Sequence, residues 1–214
     1  MISIQTFVFN ALQENTYVLF DESRACVIID PGCYEKREKA ALRNFIEQNN
    51  LKVERLLNTH CHVDHVLGNA FVKQLYQVPL QIHAKDEVTL RSVVTYAPIY
   101  GFTQYEAAEA DSFLAEGDLV QFGDSELEIL FVPGHAPGHI AFYNRQQKIC
   151  LAGDVLFRRS IGRTDLPGGD FDTLMHSIHT KLFPLGDDFV IYPGHGGSTT
   201  IGEEKRFNPY CTEM

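Results

Sequence analysis

Residues 59–65 read Thr-His-Cys-His-Val-Asp-His, which places four residues able to bind a metal, His60, His62, Asp64 and His65, within six positions. His60 and His62 alternate as on an extended segment, so both imidazoles face one way, while Asp64 and His65 stand where a following helix begins. Two neighbouring cation sites fit that layout better than one. Imidazole suits zinc, iron, copper and nickel, and carboxylate suits harder ions, so the mixture points to a hydrolytic or oxygen-active transition-metal centre. The chain has 9 histidines in 214 residues, and chance is a poor explanation for their crowding here.

The elements that must position this cluster are visible around it. Apolar runs end repeatedly in a turn that carries a potential ligand: 26–29 in Asp30-Pro31-Gly32, 55–58 in Thr59-His60, and 127–132 in Pro133-Gly134-His135. The runs 149–152 and 189–192 end likewise in Gly153-Asp154 and Pro193-Gly194-His195. Pro and Gly stop each strand and let the backbone approach closely, so these polar residues gather at one rim. Helical periodicity falls between the strands, at about 35–49, at about 65–77 with Leu67, Phe71 and Leu75 on one side, and at about 171–183 with Leu174, Ile178 and Leu182. Residues 3–9 and 17–20 alternate like a hairpin. Strands interleaved with covering helices predict layered α/β packing with the function at the strand ends.

Residues 84–116 break this rhythm. The stretch 85–94 has a helical pattern, and Tyr96, Tyr100, Phe102 and Tyr105 then surround Pro98 and Gly101 without a period. A mobile aromatic lid is one reading; aromatics that pack an excursion onto the core is the simpler one.

Composition excludes several classes. Apolar residues make up 44% and charged residues 21%, and no apolar run approaches the roughly 20 residues of a membrane span. The first fifteen residues carry neither a basic segment nor a small-residue cleavage site, so a cytoplasmic protein is expected. Five cysteines without a Cys-x-x-Cys pair argue against a disulfide framework and against a cysteine zinc site. A net charge of -10 with no basic stripe argues against nucleic acid as a partner.

Together, Thr59–His65, Pro133-Gly134-His135, Gly153-Asp154 and Pro193-Gly194-His195 resemble the motif series of the metallo-β-lactamase superfamily. The resemblance implies an αββα fold, a four-layer sandwich of two mixed β-sheets with outer helices, spanning 1–214 as one domain. It also implies two divalent metal ions. One would sit on His60, His62 and His135 and the other on Asp64, His65 and His195, with Asp154 bridging and with catalytic roles for Asp64 and Asp154. Zinc is the expected metal, and this ligand set also accepts iron or manganese.

Within the superfamily the chain is most similar to glyoxalase II, the hydroxyacylglutathione hydrolases, in their short single-domain bacterial form. An aspartate holds the bridging position, His62 stands where di-iron flavoproteins carry a glutamate, and Gly153-Asp154-Val155-Leu156-Phe157 is followed by Gly162-Arg163. Arg163 falls where these enzymes place a basic residue against the glutathione moiety; a plain surface arginine is the other reading. Gly196-Gly197 and Asp165 replace tyrosines of the long enzymes, and a counterpart of their C-terminal helical domain is not expected. The expected reaction is hydrolysis of a thioester such as S-lactoylglutathione by a metal-bound hydroxide. A thiolate leaves without strong acid assistance, unlike the amine of an amide.

The competing expectations are a mononuclear iron persulfide dioxygenase, a hydrolase of another ester or lactone, and a metal-binding protein without catalysis. Among the remaining polar residues, His139 is expected to brace the ligand loop. Asp30 is expected to orient a ligand histidine or to cap a turn, His83, His176 and His179 to be ordinary, and Glu203 and Glu204 to form a solvated tail. The expected partner is a small thioester, and the sequence is silent on oligomeric state.

Overall fold

Alternation along the strands decides which face each side chain buries. The computed structural model describes residues 1–212. Its first sheet runs, in spatial order, β1 (Ser3–Phe9), β2 (Glu14–Phe20), β3 (Ala25–Ile29), β4 (Lys52–Leu57), β5 (Leu80–His83) and β6 (Ser112–Leu114). The first three strands pair antiparallel, and from β3 onward the pairing is parallel. The parallel half needs crossovers, supplied by α1 (Lys36–Gln48), the short α2 (Val63–Val66), α3 (Asn69–Tyr76) and α4 (Glu87–Tyr96).

The second sheet is built from β7 (Leu119–Phe122), β8 (Ser125–Phe131), β9 (Ile140–Asn144), β10 (Ile149–Gly153), β13 (Val190–Pro193) and β14 (Thr199–Thr200). It is also mixed, because β10 and β13 run parallel while the other pairs are antiparallel. A small ribbon of β11 (Leu156–Phe157) and β12 (Ser160–Ile161) leaves its rim, and α5 (Phe171–Ser177) and α6 (Ile201–Phe207) cover its outer face.

Three buried clusters follow. Val18, Cys26, Ile28 and Leu56 pack outward against Leu42, Ile46 and Val72 of the first helical layer. Their chain neighbours Leu19, Val27, Ile29 and Leu57 turn the other way and meet Leu127, Ile129, Phe142 and Leu151 of the second sheet. Ala141, Cys150 and Ile191 then face Leu174, Ile178 and Leu182. β3 is buried on both faces, which is why it reads as an unbroken apolar run. The αββα sandwich implied by the resemblance is the observed fold.

Several local expectations change. The helix predicted over 65–77 is two helices, because Gly68 donates its N–H to the Pro31 carbonyl at 2.6 Å and a Cβ there would run into Cys33 and Pro31. The break rotates α3, so Ala70 and Val72 are buried while Leu75 is exposed. The helix predicted over 171–183 starts at α5, with Asp170 capping the Thr173 N–H, and continues as a wider π-helical turn over Ile178–Leu182. Glu204 is no solvated tail. It is fully buried and accepts from Thr199 Oγ1, Arg159 N and Asn208 Nδ2, while Glu203 remains exposed beside Arg159. The short β5 and β6 have no expected counterpart.

Candidate metal centre

The ligand-bearing turns meet between the two sheets at their common rim. Ile140 N–H donates to the Thr59 carbonyl at 2.8 Å and Gly194 N–H to the Gly153 carbonyl at 2.8 Å. Asn15 N–H donates to the Gly194 carbonyl, and Tyr17 Oη and Asn15 Nδ2 both donate to the Pro193 carbonyl, so β2 of the first sheet holds the last turn of the second. Gly194 is required by close approach: a Cβ there would overlap Asp154 Oδ1.

All seven residues expected at the centre lie together. The rings of His60, His62 and His135 form a nearly equilateral triangle, with centroids 4.8, 4.8 and 4.6 Å apart and planes 81–88° to one another. Asp64, His65 and His195 form a second set: Asp64 Oδ2 is 3.1 Å from His195 Nε2 and 3.7 Å from His65 Nε2. Asp154 lies between the sets, with Oδ1 3.5 Å from His65 Nε2 and Oδ2 3.5 Å from His195 Nε2 and 3.6 Å from His135 Nε2.

The outward nitrogens are tied down. His135 Nδ1 donates to the Arg163 carbonyl at 2.7 Å and His195 Nδ1 to the Gln13 carbonyl at 3.2 Å. Asp30 accepts from His65 Nδ1 at 3.2 Å and from Thr59 Oγ1 at 2.6 Å, and Thr59 Oγ1 in turn contacts His60 Nδ1 at 3.1 Å. One buried carboxylate therefore orients a histidine in each set, which goes beyond capping a turn. His139 braces as expected: its ring stacks on His60 at 4.7 Å, and its Nε2 accepts the Asp154 N–H at 3.0 Å. His83, His176 and His179 lie elsewhere; His83 stacks on Phe131.

Sequence reasoning missed Asp86. It is fully buried and accepts the N–H groups of Cys61 at 2.6 Å and Gly138 at 2.9 Å, clamping the first ligand turn to the third. An aspartate in the first turn of a predicted helix reads as an ordinary helix-start residue, so no local signal marks it.

Burial holds the His60 pKa well below the ordinary histidine value, and the surrounding imidazoles lower it further. Burial likewise pushes His62 down to about 3, helped by His135. Burial also opposes a charged His65, yet the Asp64 and Asp154 carboxylates raise its pKa well above the ordinary value. Burial would raise the Asp154 pKa, but His65 and the other imidazoles hold it below the carboxylate range. The buried carboxylates thus favour positive charge at His65, while burial disfavours it at His60, His62 and His135, where His62 Nδ1 and His135 Nε2 stand 2.8 Å apart. The inward atoms His60 Nε2, His65 Nε2 and Asp154 Oδ1 are buried without a hydrogen-bond partner among the described residues. Uncompensated polar atoms of this kind are costly, and a borderline cation facing nitrogen and oxygen donors satisfies them. The donor set therefore fits divalent metal ions.

A cavity of about 960 Å³ opens onto this floor, lined by His62, Asp64, His135, Asp154 and His195. The excursion 84–116 supplies its far wall. Phe102 is buried against Tyr34 and Tyr105 packs on the core, as the simpler expectation had it, whereas α4, Ile99 and Tyr100 face the cavity. Arg163 also lines it, with its guanidinium held by both oxygens of Asp165 at 2.7 and 2.8 Å. None of the described helices is long and apolar enough to cross a membrane.

The sandwich and its rim of histidines and aspartates define the class. The chain belongs to the metallo-beta-lactamase superfamily, whose family model matches residues 9–195. It is 40% identical to hydroxyacylglutathione hydrolase GloC of Haemophilus influenzae, covering 98% of each chain. It is 36% identical to the mitochondrial persulfide dioxygenase ETHE1 of Mus musculus, covering 92% of this chain and 71% of that protein. The crystal structure of the BLEG-1 B3 metallo-beta-lactamase superposes with a TM-score of 0.89 at 32% identity, covering 98% of this chain and all of that one. These relatives carry three different activities, so the reaction must be argued from the site.

Proposed function

We propose that the chain is a metal-dependent hydrolase of thioesters, of the kind represented by S-lactoylglutathione. His60, His62 and His135 would hold one divalent ion, Asp64, His65 and His195 a second, and Asp154 would serve both. Two such ions supply a water nucleophile at neutral pH and polarise the scissile carbonyl. Asp64, whose Oδ2 faces His195 at the cavity floor, orients the attacking water and takes up its proton. Asp154 holds the two ligand sets at fixed separation, and Asp30 keeps the inward nitrogens of His60 and His65 free.

The observation that carries the reading is the shortage of acids. Beyond His62, Asp64, His135, Asp154 and His195, the cavity is lined by no carboxyl and no imidazole among the described residues. Its Tyr96 is a poor acid, because burial raises its pKa far above the ordinary tyrosine value. With few proton donors at the cavity besides Lys85 and two tyrosines, a leaving group that needs little protonation suits it best, which a thiolate with a conjugate-acid pKa near 8.5 is and an amide nitrogen is not. The likeness to GloC supports this reaction, with a small glutathione-derived thioester as substrate. Zinc is the proposed metal.

The likeness to the mouse persulfide dioxygenase supports a second reading, one iron on His60, His62 and His135. That reading leaves Asp64 and His195 without a task, although they sit 3.1 Å apart on the cavity floor. Metal analysis together with thioester hydrolysis and oxygen uptake decides between them. Two ions per chain with thioester turnover is the expected result; one iron with persulfide-dependent oxygen uptake would overturn the hydrolase.

A further inference from the structure

We infer that the cavity selects thioesters with an extended apolar acyl group, so that the acyl arm rather than the thiol sets substrate preference. The inference rests on the thioester-hydrolase reading and adds the substrate class. Its first ground is size. A cavity of about 960 Å³ is at the top of the range of about 300–1,000 Å³ that encloses drug-sized ligands, far more than a lactoyl group fills.

The second ground is the wall. Leu12, Val88, Ile99, Tyr100, Phe157 and Leu166 line the same cavity as the metal-centre residues, so whatever occupies it is continuous with the reacting carbonyl. Val88 is 77% exposed and Ile99 82% exposed, which rules out a core-packing role for either side chain. Large apolar side chains converging, exposed, on one concavity mark a ligand surface. α4 shows the division within one helix. Leu90 and Val93 face the core, Val88, Thr89 and Ser92 face the cavity, half-buried Tyr96 touches both, and exposed Val94 faces neither.

The third ground is charge. A glutathione-like thiol brings two carboxylates, and the cavity offers two side-chain cations other than histidine, Lys85 and Arg163. Asp165 already neutralises Arg163, while Lys85 has no carboxylate partner among the described residues and lies 4.8 Å over the Phe131 ring. One free ammonium is a weak basis for choosing a thiol. The apolar wall is the larger and more continuous surface.

The test uses thioesters of one uncharged thiol, N-acetylcysteamine, with straight acyl chains from acetyl to decanoyl, kept below micelle-forming concentrations. Burial of each methylene raises kcat/KM by about two- to fourfold until the cavity is filled. The Val88→Ser/Ile99→Ser double variant lowers the decanoyl-to-acetyl ratio by at least about tenfold, and Val94→Ser on the same helix leaves that ratio unchanged. A flat or falling dependence with short chains still turned over would overturn the inference, as would a double variant that loses both substrates equally. If no thioester of any length is cleaved, the hydrolase reading fails separately. Calorimetry with S-alkyl-N-acetylcysteamine thioethers then decides the cavity alone: affinity that climbs with alkyl length supports an apolar-arm site, and affinity without a trend removes it.

Discussion

The floor and the far wall of the cavity are built by opposite rules. On the floor, His60, His65, Asp154 and Asp30 are buried, and nearly every outward nitrogen has a named hydrogen-bond partner. On the far wall, Val88, Ile99 and Tyr100 are exposed and no side-chain hydrogen bond among the described residues positions them. Reaction chemistry tolerates one geometry, so directional bonds fix it; recognition of an apolar group is non-directional and needs only surface. Damage to the floor should therefore be large and shared by all substrates, and damage to the wall small and substrate-dependent.

The largest break is expected at Asp154→Ala, which removes the carboxylate between the two ligand sets. Thioester kcat/KM should fall on the order of a thousandfold, with fewer divalent ions retained by metal analysis after gel filtration. Residual turnover within tenfold of the parent would show that the two sets work independently. Asp30→Ala touches no inward atom, yet should weaken metal affinity by about 10–100-fold in chelator competition. Unchanged affinity would reduce Asp30 to a turn residue. Asp86→Ala leaves the Cys61 and Gly138 N–H groups buried without an acceptor, and chemical denaturation should show a loss of about 1–3 kcal/mol.

Wall effects come next. Tyr100→Ala should raise KM for a long-acyl substrate by about two- to fivefold, with metal content unaltered; a loss of bound metal would erase the contrast between wall and floor. The smallest effect belongs to Arg163→Ala, within about threefold, because the side chain is exposed and its pairing with Asp165 is a surface ion pair. A larger effect confined to carboxylate-bearing thiols would show that the substrate displaces Asp165.

Layered α/β packing and the rim of polar turns were legible because their signals are local, whereas the four-layer sandwich came with the resemblance. His60 to His65 crowd into one turn, and Pro-Gly-His at two strand ends repeats the same device. Asp30 stayed ambiguous because Asp-Pro-Gly serves a turn and a hydrogen-bond acceptor equally well. Asp86 and Glu204 were hidden for a different reason. Asp86 answers to Cys61 and Gly138, both distant in sequence, and Glu204 to the distant Arg159 N–H besides its near neighbours Thr199 and Asn208, and such pairings leave no period. Leu75 was misplaced because a helix drawn straight through Gly68 keeps a phase that the real chain resets. The far wall was illegible because exposed apolar residues on a helix have no spacing that separates ligand contact from ordinary surface.

Each proposed ligand set takes two residues from the turns of the first sheet and one from the second: His60 and His62 with His135, and Asp64 and His65 with His195. Neither sheet by itself contains a complete set, so the centre has no local precursor during folding. Its assembly brings together residues as far apart as 60 and 195, and closing loops of that length carries an entropic cost. Tyr17 and Asn15, which donate to the Pro193 carbonyl, thus tie together the two sheets whose docking assembles the candidate centre.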